Sequence, residues 1–596
     1  MTSAETVPMV FRLHENAPEL VREVLLERGW KEYSEREQEE GDWNLYWRTS
    51  VFRDVEFENI LPWQRLNHHP KTLGITRKDW LARNLKRMKG TFGSALYDFS
   101  PTAYILPNDY TKFLGEYTKE KAANGGKPGY WICKPVDLSR GRGIFIFDDI
   151  KKLTYDSSVI VQRYISNPLL ISGYKFDLRI YVCVRSFHPL TIYIYQEGLV
   201  RFATEKYQLT CLDNLYSHLT NTSINKFGPS YTTDKERVGP GCKWTMSKFR
   251  CFLHSQKFDE ILLWQGINSI VTLTVLTIAP SLPFSPNCIE LFGFDILIDD
   301  NFKPWLLEVN YSPALSLDCA ADVTVKKRLL HDLVDLLNYK KIDSLRQSGY
   351  LREQYRHPCK SSAQALESTY PPVLLLPKCI STSHNTNSSK SFLDKLNFSS
   401  ELHFDETKQL KSIELQCLKA DWRSRSDAPC STYSSEYVTV SKASKCPPLC
   451  KVPIQDSSVK PVSPKKDLSL TRKKHSSQGF STLPPIHIQR YRTLTFHWNQ
   501  NPPENIRPPT RVGDFILTFP FNEVTFKASQ KKLNVKFVVQ EIQRLRNRLM
   551  SSDKNKVRKR RESCLDKISD DKECFGTLLW GPRYPPLLSE CCSTKG

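Results

Sequence analysis

The sequence predicts an enzyme domain that mixes strands and helices, α+β or α/β, with a basic extension behind it. Three observations lead there. Between Tyr130 and Val309, short β-rich runs alternate with helical stretches, the pattern of a mixed domain. After about Tyr350 the composition shifts toward Ser, Pro, Lys and Arg, as in low-complexity segments. Hydrophobic residues make up 40% of the chain and charged residues 25%, enough for a sizeable core, which excludes full disorder.

The elements follow in chain order. Pro18–Arg28 places Leu20, Val24 and Leu25 among charges, an amphipathic helix, and Trp43 to Trp47 form an aromatic, strand-like run. Arg77–Lys89 is helical in pattern, with Trp80, Leu81, Leu85 and Met88 opposite basic residues. The β-rich runs are Tyr130–Lys134, Ile144–Phe147, Val159–Tyr164, Phe176–Val184, Leu190–Tyr195 and Ile289–Ile298, and Lys326–Leu337 reads as a closing helix. From Ile261 to Ile289 there is no charge. Its many Thr, Ser, Asn and Gln residues suit a buried helix better than a membrane span. In the tail, Ser381–Ser391 has no apolar residue, Val512–Phe526 is β-like and aromatic, and 538–550 has helical spacing with a basic face. Lys554–Arg561 adds six positive charges, read either as a solvated or import-like run or as a contact to a polyanion.

Lys and Arg number 85 against 64 Asp and Glu in 596 residues, a net charge of +21. Such a chain expects an acidic partner: nucleic acid, a membrane surface or an acidic protein. The 17 Cys residues follow no regular frame, and Met1–Val10 lacks the apolar run of a signal peptide. The expectation is a cytosolic or nuclear chain with reduced thiols. Cys446 and Cys450 approach a paired spacing, but in a Pro-rich setting that does not suit zinc.

Three constellations carry chemistry. Lys134 ends a strand, and Ser139-Arg140-Gly141-Arg142-Gly143-Ile144 follows. Its glycines would let backbone N–H groups approach phosphate oxygens, although a Gly-rich turn between strands is common by itself. In Glu290–Asn310, a turn at Asp299–Phe302 would set Asp295 opposite Leu306 and Gly293 opposite Glu308. Asp295, Glu308 and Asn310 then share one face, while Phe292, Phe294, Ile296, Ile298, Trp305, Leu307 and Val309 form the apolar one. Hard oxygen donors of this kind suit Mg²⁺ at nucleotide phosphates, and a solvent-facing edge hairpin would look similar. Third, Lys175, Asp177 and Arg179 form a stripe on one strand face, either a cross-strand charge network or contacts to a nucleotide.

Taken in order, these motifs resemble the ATP-grasp ligases, and within them the tubulin tyrosine ligase-like family, most closely its polyglutamylase branch. The resemblance runs from about Asn67 to Leu337 through Asn67–Pro70, Arg77–Asp79, Lys134-Pro135, Ser139–Ile144, Gln162–Ile165, Lys175–Arg179, His218–Asn221, Phe292–Ile298 and Leu307–Asn310. It implies an α+β ATP-grasp core over 67–340, a smaller N-terminal domain over 1–66, and a largely disordered basic tail over 341–596. It further implies that Lys134, Arg140, Gly141 and Arg179 contact ATP phosphates, with Arg140 also near the acceptor protein; Arg140 and Arg179 would be the catalytic pair. Gln162, Arg163, Tyr164, Ile165, Lys175, Phe176 and Asp177 would line the adenine pocket, and Thr220 and Asn221 would complete the nucleotide site. Asp295, Glu308 and Asn310 would hold Mg²⁺. Arg201 would bind the carboxylate of the free amino acid, with Ser223, Lys243 and Lys326 around it. The family pattern Tyr-Ser-Ile-Asn is here Thr222-Ser223-Ile224-Asn225; the departure is the absent aromatic at position 222, which bears on one contact to the free amino acid and not on the nucleotide or metal ligands.

The implied reaction is ATP-dependent addition of L-glutamate to acidic side chains of tubulin tails through an acyl phosphate. Positioning and charge stabilisation dominate such chemistry, and His218 reads as structural rather than as a general base. The basic charge fits microtubules as the partner, in the cytoplasm, on the cytoskeleton, at a cilium or basal body. Membrane and nucleic acid are not expected partners. The alternatives are a glycine ligase of the same family and a non-catalytic microtubule-binding protein.

Overall fold

The computed structural model describes residues 7–256, 258, 260–350 and 507–559. Three sheets follow one another along the chain. The first has β1 (Val10–Leu13), β2 (Lys31–Glu32), β3 (Leu45–Trp47) and β4 (Arg65–Leu66) in the order β2-β1-β3-β4. Helix α1 (Glu19–Glu27) buries Leu20, Val24 and Leu25, as its sequence periodicity predicts, and Val21 besides. The second sheet has β5 (Ala103–Leu106), β6 (Trp131–Pro135), β7 (Phe145–Phe147) and β8 (Val159–Arg163) in the order β5-β8-β6-β7. Near it run α2 (Lys78–Phe92) and α3 (Tyr110–Ala123). On α2, Leu81, Leu85 and Met88 are buried, whereas Trp80 is exposed beneath the guanidinium of Arg77.

The third sheet is the frame of the molecule. Its strands are β9 (Leu170–Ile171), β10 (Tyr174–Phe187), β11 (Leu190–Phe202), β12 (Lys243–Thr245), β13 (Glu290–Ile298), β14 (Pro304–Asn310), β15 (Arg511–Val512) and β16 (Phe515–Phe519). The main path is β14-β13-β10-β11-β16-β15, with β9 added to β10 and β12 to β11. The core of β10 and β13 is buried on both faces, which is why those sequences read as unbroken apolar runs rather than as alternation. One face packs against α2 and α4 (Glu260–Val275) through residues such as Ile180, Val182, Leu85 and Ile270. The other packs against α1 and α5 (Ala320–Leu336) through Tyr181, Tyr193, Leu329 and Leu333. The N-terminal helix therefore shares a core with the central sheet. The uncharged stretch Leu262–Ser281 is long and apolar enough to cross a membrane, and 78% of it is buried here in protein.

The expected tail divides. Residues 351–506 lie outside the described residues, and with them Ser381–Ser391, Cys446 and Cys450. Residues 507–559 do not form a tail. β16 pairs antiparallel with β11 over Ile192–Tyr195, and Phe515, Leu517 and Phe519 are fully buried. The β-like run expected to reach Phe526 stops at Phe519; Asn522 caps a short helix, Glu523–Ser529, by accepting from Thr525 N. The helix expected at 538–550 is α6 (Val535–Lys559), and its Val538, Val539 and Ile542 belong to the main core. The apolar spacing that made the helix legible is the face it buries. A boundary at 341 thus cuts the central sheet from its own edge strands. Deletion from Val538 onward would open the core as well as remove charge.

Phe519→Ala should therefore cost about 3–5 kcal/mol, the usual range for a buried Phe. Urea unfolding of the full chain reads this, and a loss below about 1 kcal/mol would place the strand outside the core.

Candidate active site

Alternation along the central strands sets a charged row across the sheet. Asp177 on β10 faces Arg201 on β11, Arg179 on β10 faces Asp295 on β13, and Asp295 faces Glu308 on β14. Arg201 grips Asp177 bidentately, with Nε–Oδ1 at 2.8 Å and Nη2–Oδ2 at 2.6 Å. Arg179 grips Asp295 in the same way at 2.6 and 3.0 Å. The Arg201 Nη2 also reaches Asp295 Oδ2 at 2.8 Å, and Thr220 Oγ1 donates to Asp177 Oδ2 at 2.6 Å. Burial opposes ionisation of Asp295, but Arg179 and then Arg201 hold its carboxyl well below the usual range. Glu308 goes the other way: burial first, and then the neighbouring Asp295 charge, raise it.

The hairpin register differs from the expected one. Ile298 faces Pro304, not Lys303, because Asp299 Oδ1 accepts from both Asn301 N and Lys303 N and Phe302 adopts φ 59°, which widens the turn. A register irregularity between Asp295 and Ile296 then sets Asp295 opposite Glu308 and Gly293 opposite Asn310. The acidic pair is closer than predicted. The shift also moves the apolar side: Leu306 enters the core and Leu307 lines the cleft.

Asp177, Arg201, Asp295 and Glu308 of this row line a cavity of about 390 Å³, whereas Arg179, expected at the phosphates, is not among its lining residues and is committed to Asp295. Lys134 from β6 stands in the cleft with its Nζ donating to Gln162 Oε1 at 2.8 Å. Burial lowers Lys134 to about 8, against the pull of Glu308. Arg140 (φ 62°) and Gly141 (φ 80°) turn the loop over the cavity. A Cβ at Gly141 would displace only the flexible end of the Ile224 side chain, so it is the positive φ that favours glycine there. Ser223 Oγ donates to Arg140 O at 2.9 Å, tying the short helix Thr222–Asn225 to this loop. Asn221, Ile165 and Lys175 also line the cavity.

Several expected site residues are placed otherwise. The side chain of Phe176 lies in the core against Phe202 and Phe249, because alternation sends it to the opposite face from Lys175 and Asp177; only its backbone can serve a ligand. Arg163 borders the cavity while its guanidinium pairs with Glu120 at 2.6 Å. Lys243 and Lys326 do not line the cavity. They share the buried Asp322, at 2.7 and 2.8 Å, and Lys326 also donates to Ser316 O. A buried carboxylate needs such partners; the i,i+4 spacing of Asp322 and Lys326 is visible in the sequence, whereas the pairing with Lys243 is not.

Other residues went unassigned in the sequence. Lys78, within the Arg77–Asp79 motif, lines the cavity and donates to Leu138 O at 2.6 Å. Tyr311, next to Asn310, lines it too and stacks on His68 at 3.9 Å. His68 Nδ1 pairs with Glu290 at 2.6 Å, which explains the buried Asn67–Pro70 motif as an anchor for β13.

For a divalent cation, the donor set is two facing carboxylates and the Asn310 amide, whose Nδ2 is used on Gly293 O at 3.1 Å. The raised Glu308 marks a pair short of positive charge, which such a cation would supply. The residues fit, with Glu308 and Asn310 the more available because Arg179 and Arg201 already hold Asp295.

The sequence pattern of the tubulin-tyrosine ligase family matches residues 56–345. A human protein named probable tubulin polyglutamylase TTLL2 is 46% identical over 547 residues, covering 91% of this chain and 85% of its own. Its mouse namesake is 44% identical over 556 residues, covering 91% and 92%. Human tubulin polyglutamylase TTLL5 is 36% identical over 332 residues, 54% of this chain and 25% of its own. The chain belongs to the tubulin-tyrosine ligase family.

Glu308→Gln should leave the metal-free fold at least as stable at neutral pH. A carboxyl whose folded pKa is raised contributes stability below its unfolded value and loses it as pH rises through the folded one; an amide mimics the protonated form at every pH. Thermal melting of both proteins without metal checks this, and a fall of several degrees in the variant would contradict it.

Proposed function

We propose that the chain is an ATP-dependent ligase that adds glutamate to acidic side chains of tubulin tails. The observation that carries the reading is the charged row Arg201–Asp177–Asp295–Glu308, braced by Arg179, facing Lys134 and the Arg140-Gly141 turn across one cleft. The names of the relatives, tubulin polyglutamylases, support the substrate.

In this reading Lys134, Lys78, Arg140, Gly141 and Arg179 bind the ATP phosphates. Gln162–Ile165, Lys175, Asp177, Thr220, Asn221 and the Phe176 backbone hold the rest of the nucleotide. Asp295, Glu308 and Asn310 would hold Mg²⁺, which when bound supplies positive charge at the phosphates. An acceptor carboxylate oxygen takes the γ-phosphoryl group and ADP leaves. The glutamate amine then attacks the acyl carbon, the C–O bond to phosphate breaks, and an amide remains. Arg140 and Arg179 stabilise charge as it develops. Arg201 orients the glutamate carboxylate. The place of action follows from the substrate: microtubules in the cytoplasm, including those of a cilium or basal body.

The deciding experiment incubates the full chain with ATP, Mg²⁺, microtubules and labelled glutamate or glycine. Glutamate should be incorporated. Glycine stays in the test because Lys243 and Lys326 are already committed to Asp322, and incorporation of glycine alone would replace the reading. Arg201→Lys, which keeps the charge but loses the planar fork, should raise the glutamate KM at least tenfold with a smaller change for ATP; equal changes would make Arg201 purely structural.

The exposed Lys531, Lys532 and Lys536 flank the start of α6. Exchanging them for Glu should weaken microtubule binding at low salt and little at high salt, because exposed charges are screened over about 8 Å at physiological ionic strength. Co-sedimentation reads this without disturbing the buried face of α6, and unchanged low-salt binding would remove the helix from the interface.

A further inference from the structure

Behind the cleft runs a hydrogen-bonded chain that the charged row does not include. Lys175 Nζ lies 2.9 Å from Tyr164 Oη, Tyr164 Oη lies 2.9 Å from His218 Nδ1, and His218 Nε2 lies 3.0 Å from Cys211 O. All three side chains border the cavity. Donor and acceptor chemistry orients the chain while Lys175 is an ammonium. A carbonyl only accepts, so Nε2 carries the proton and Nδ1 is an acceptor. A lysine ammonium only donates, so the phenolic oxygen accepts from Lys175, and its O–H has two acceptors within reach, Nδ1 and the oxygen of Tyr207, whose own proton goes to Ser166 O at 3.0 Å. Tyr164 thus takes one N–H of Lys175 and leaves the others for an acceptor in the cleft.

We propose that His218 is a positioning residue for the nucleotide: through the Tyr164 hydroxyl it sets the direction in which Lys175 presents its N–H bonds to the cleft. The inference rests on the nucleotide reading of this cavity. The surroundings of Lys175 give the chain its force. Its Nζ sits 4.4 Å from the centre of the Tyr164 ring and 5.7 Å from that of Tyr207, and the charges that reach it are Asp177, which favours its ammonium, and Lys134, which opposes it. Burial brings Lys175 down to about 7. His218 is packed edge-on against both Tyr164 and Tyr207. Burial lowers it below 6.5, and Lys175 adds to that, while the Cys211 carbonyl works against it. A protonated His218 has no acceptor at Nδ1, so acid breaks the chain at this point.

The test measures equilibrium binding of ATP to the full chain without glutamate or microtubules. His218→Phe keeps a ring but loses the acceptor, and Tyr164→Phe removes the hydroxyl; each should weaken ATP binding about tenfold, the value of one charge-assisted hydrogen bond. His218→Asn, whose Oδ1 can stand where Nδ1 stands, should bind within about threefold of the native chain. The double variant Tyr164→Phe/His218→Phe should be no worse than Tyr164→Phe alone. The native advantage over His218→Phe should hold at neutral pH and shrink only below pH 6.5, because burial lowers the imidazole and it protonates there. In turnover, the ATP KM should move and the glutamate KM should not. If His218→Phe does not fold, Tyr164→Phe and His218→Asn decide the matter. Native ATP affinity in Tyr164→Phe, or a His218→Asn variant as weak as His218→Phe, overturns the proposal alone. Failure of the native chain to bind ATP overturns the nucleotide reading and the proposal with it.

Discussion

The rest of the structure depends on four buried charges: Asp177, Arg179, Arg201 and Asp295. They lie on three adjacent strands in register, each acid gripped bidentately by an arginine. An isolated charge in this position would be prohibitively costly, whereas paired and hydrogen-bonded ones are tolerated. The row therefore locks the register of β10 against β11 and β13, because a slip of one residue would drive guanidinium groups into the apolar face. It also presents the cleft with a wall that is electrostatically near balance, to which Lys134 and Lys78 add positive charge.

That wall is stiffened from both sides. On one face, α2 and α4 pack against the sheet together with Val538, Val539 and Ile542 from α6. On the other, α1 and α5 do so with Phe515 and Leu517 from β16. Asp332 on α5 accepts from Asp514 N at 2.9 Å and from Tyr195 Oη at 3.1 Å, pinning the returning segment to both helix and sheet. The family pattern ends at residue 345, yet the strand that carries Arg201 has its other half covered by residues from beyond 510. A ligase core in this chain is thus built from two stretches of sequence far apart.

Local signals were legible where one residue's neighbours along the chain decide its role. Period-two alternation put Asp295, Glu308 and Asn310 on one face, and the small-residue run foretold the turn at Gly141. Phe176 was misplaced because membership of a motif does not say which face a side chain takes; its alternation with Lys175 and Asp177 could have said so. Lys243 and Lys326 are held by Asp322, which lies four residues from Lys326 on its own helix but 79 residues from Lys243, so spacing could show the first pairing and only the fold the second. The role of His218 was invisible because Tyr164 and Lys175 reach it only once three separate segments meet.

By itself, the sequence determined many of the strands and helices between Pro18 and Leu337, most of the buried stripes of α1 and α2, and the carboxylates, amide and lysine that line one cleft. These depend on periodicity and on local backbone demands, which a few neighbouring residues impose. Only the tertiary structure decided that Asp295 faces Glu308 rather than Leu306, that Arg201 is held by two carboxylates, and that residues 511–545 close the core rather than trail from it. The physical reason is that buried charges and sheet edges are satisfied by whatever the fold brings within a few ångströms, and that is set by packing between segments hundreds of residues apart.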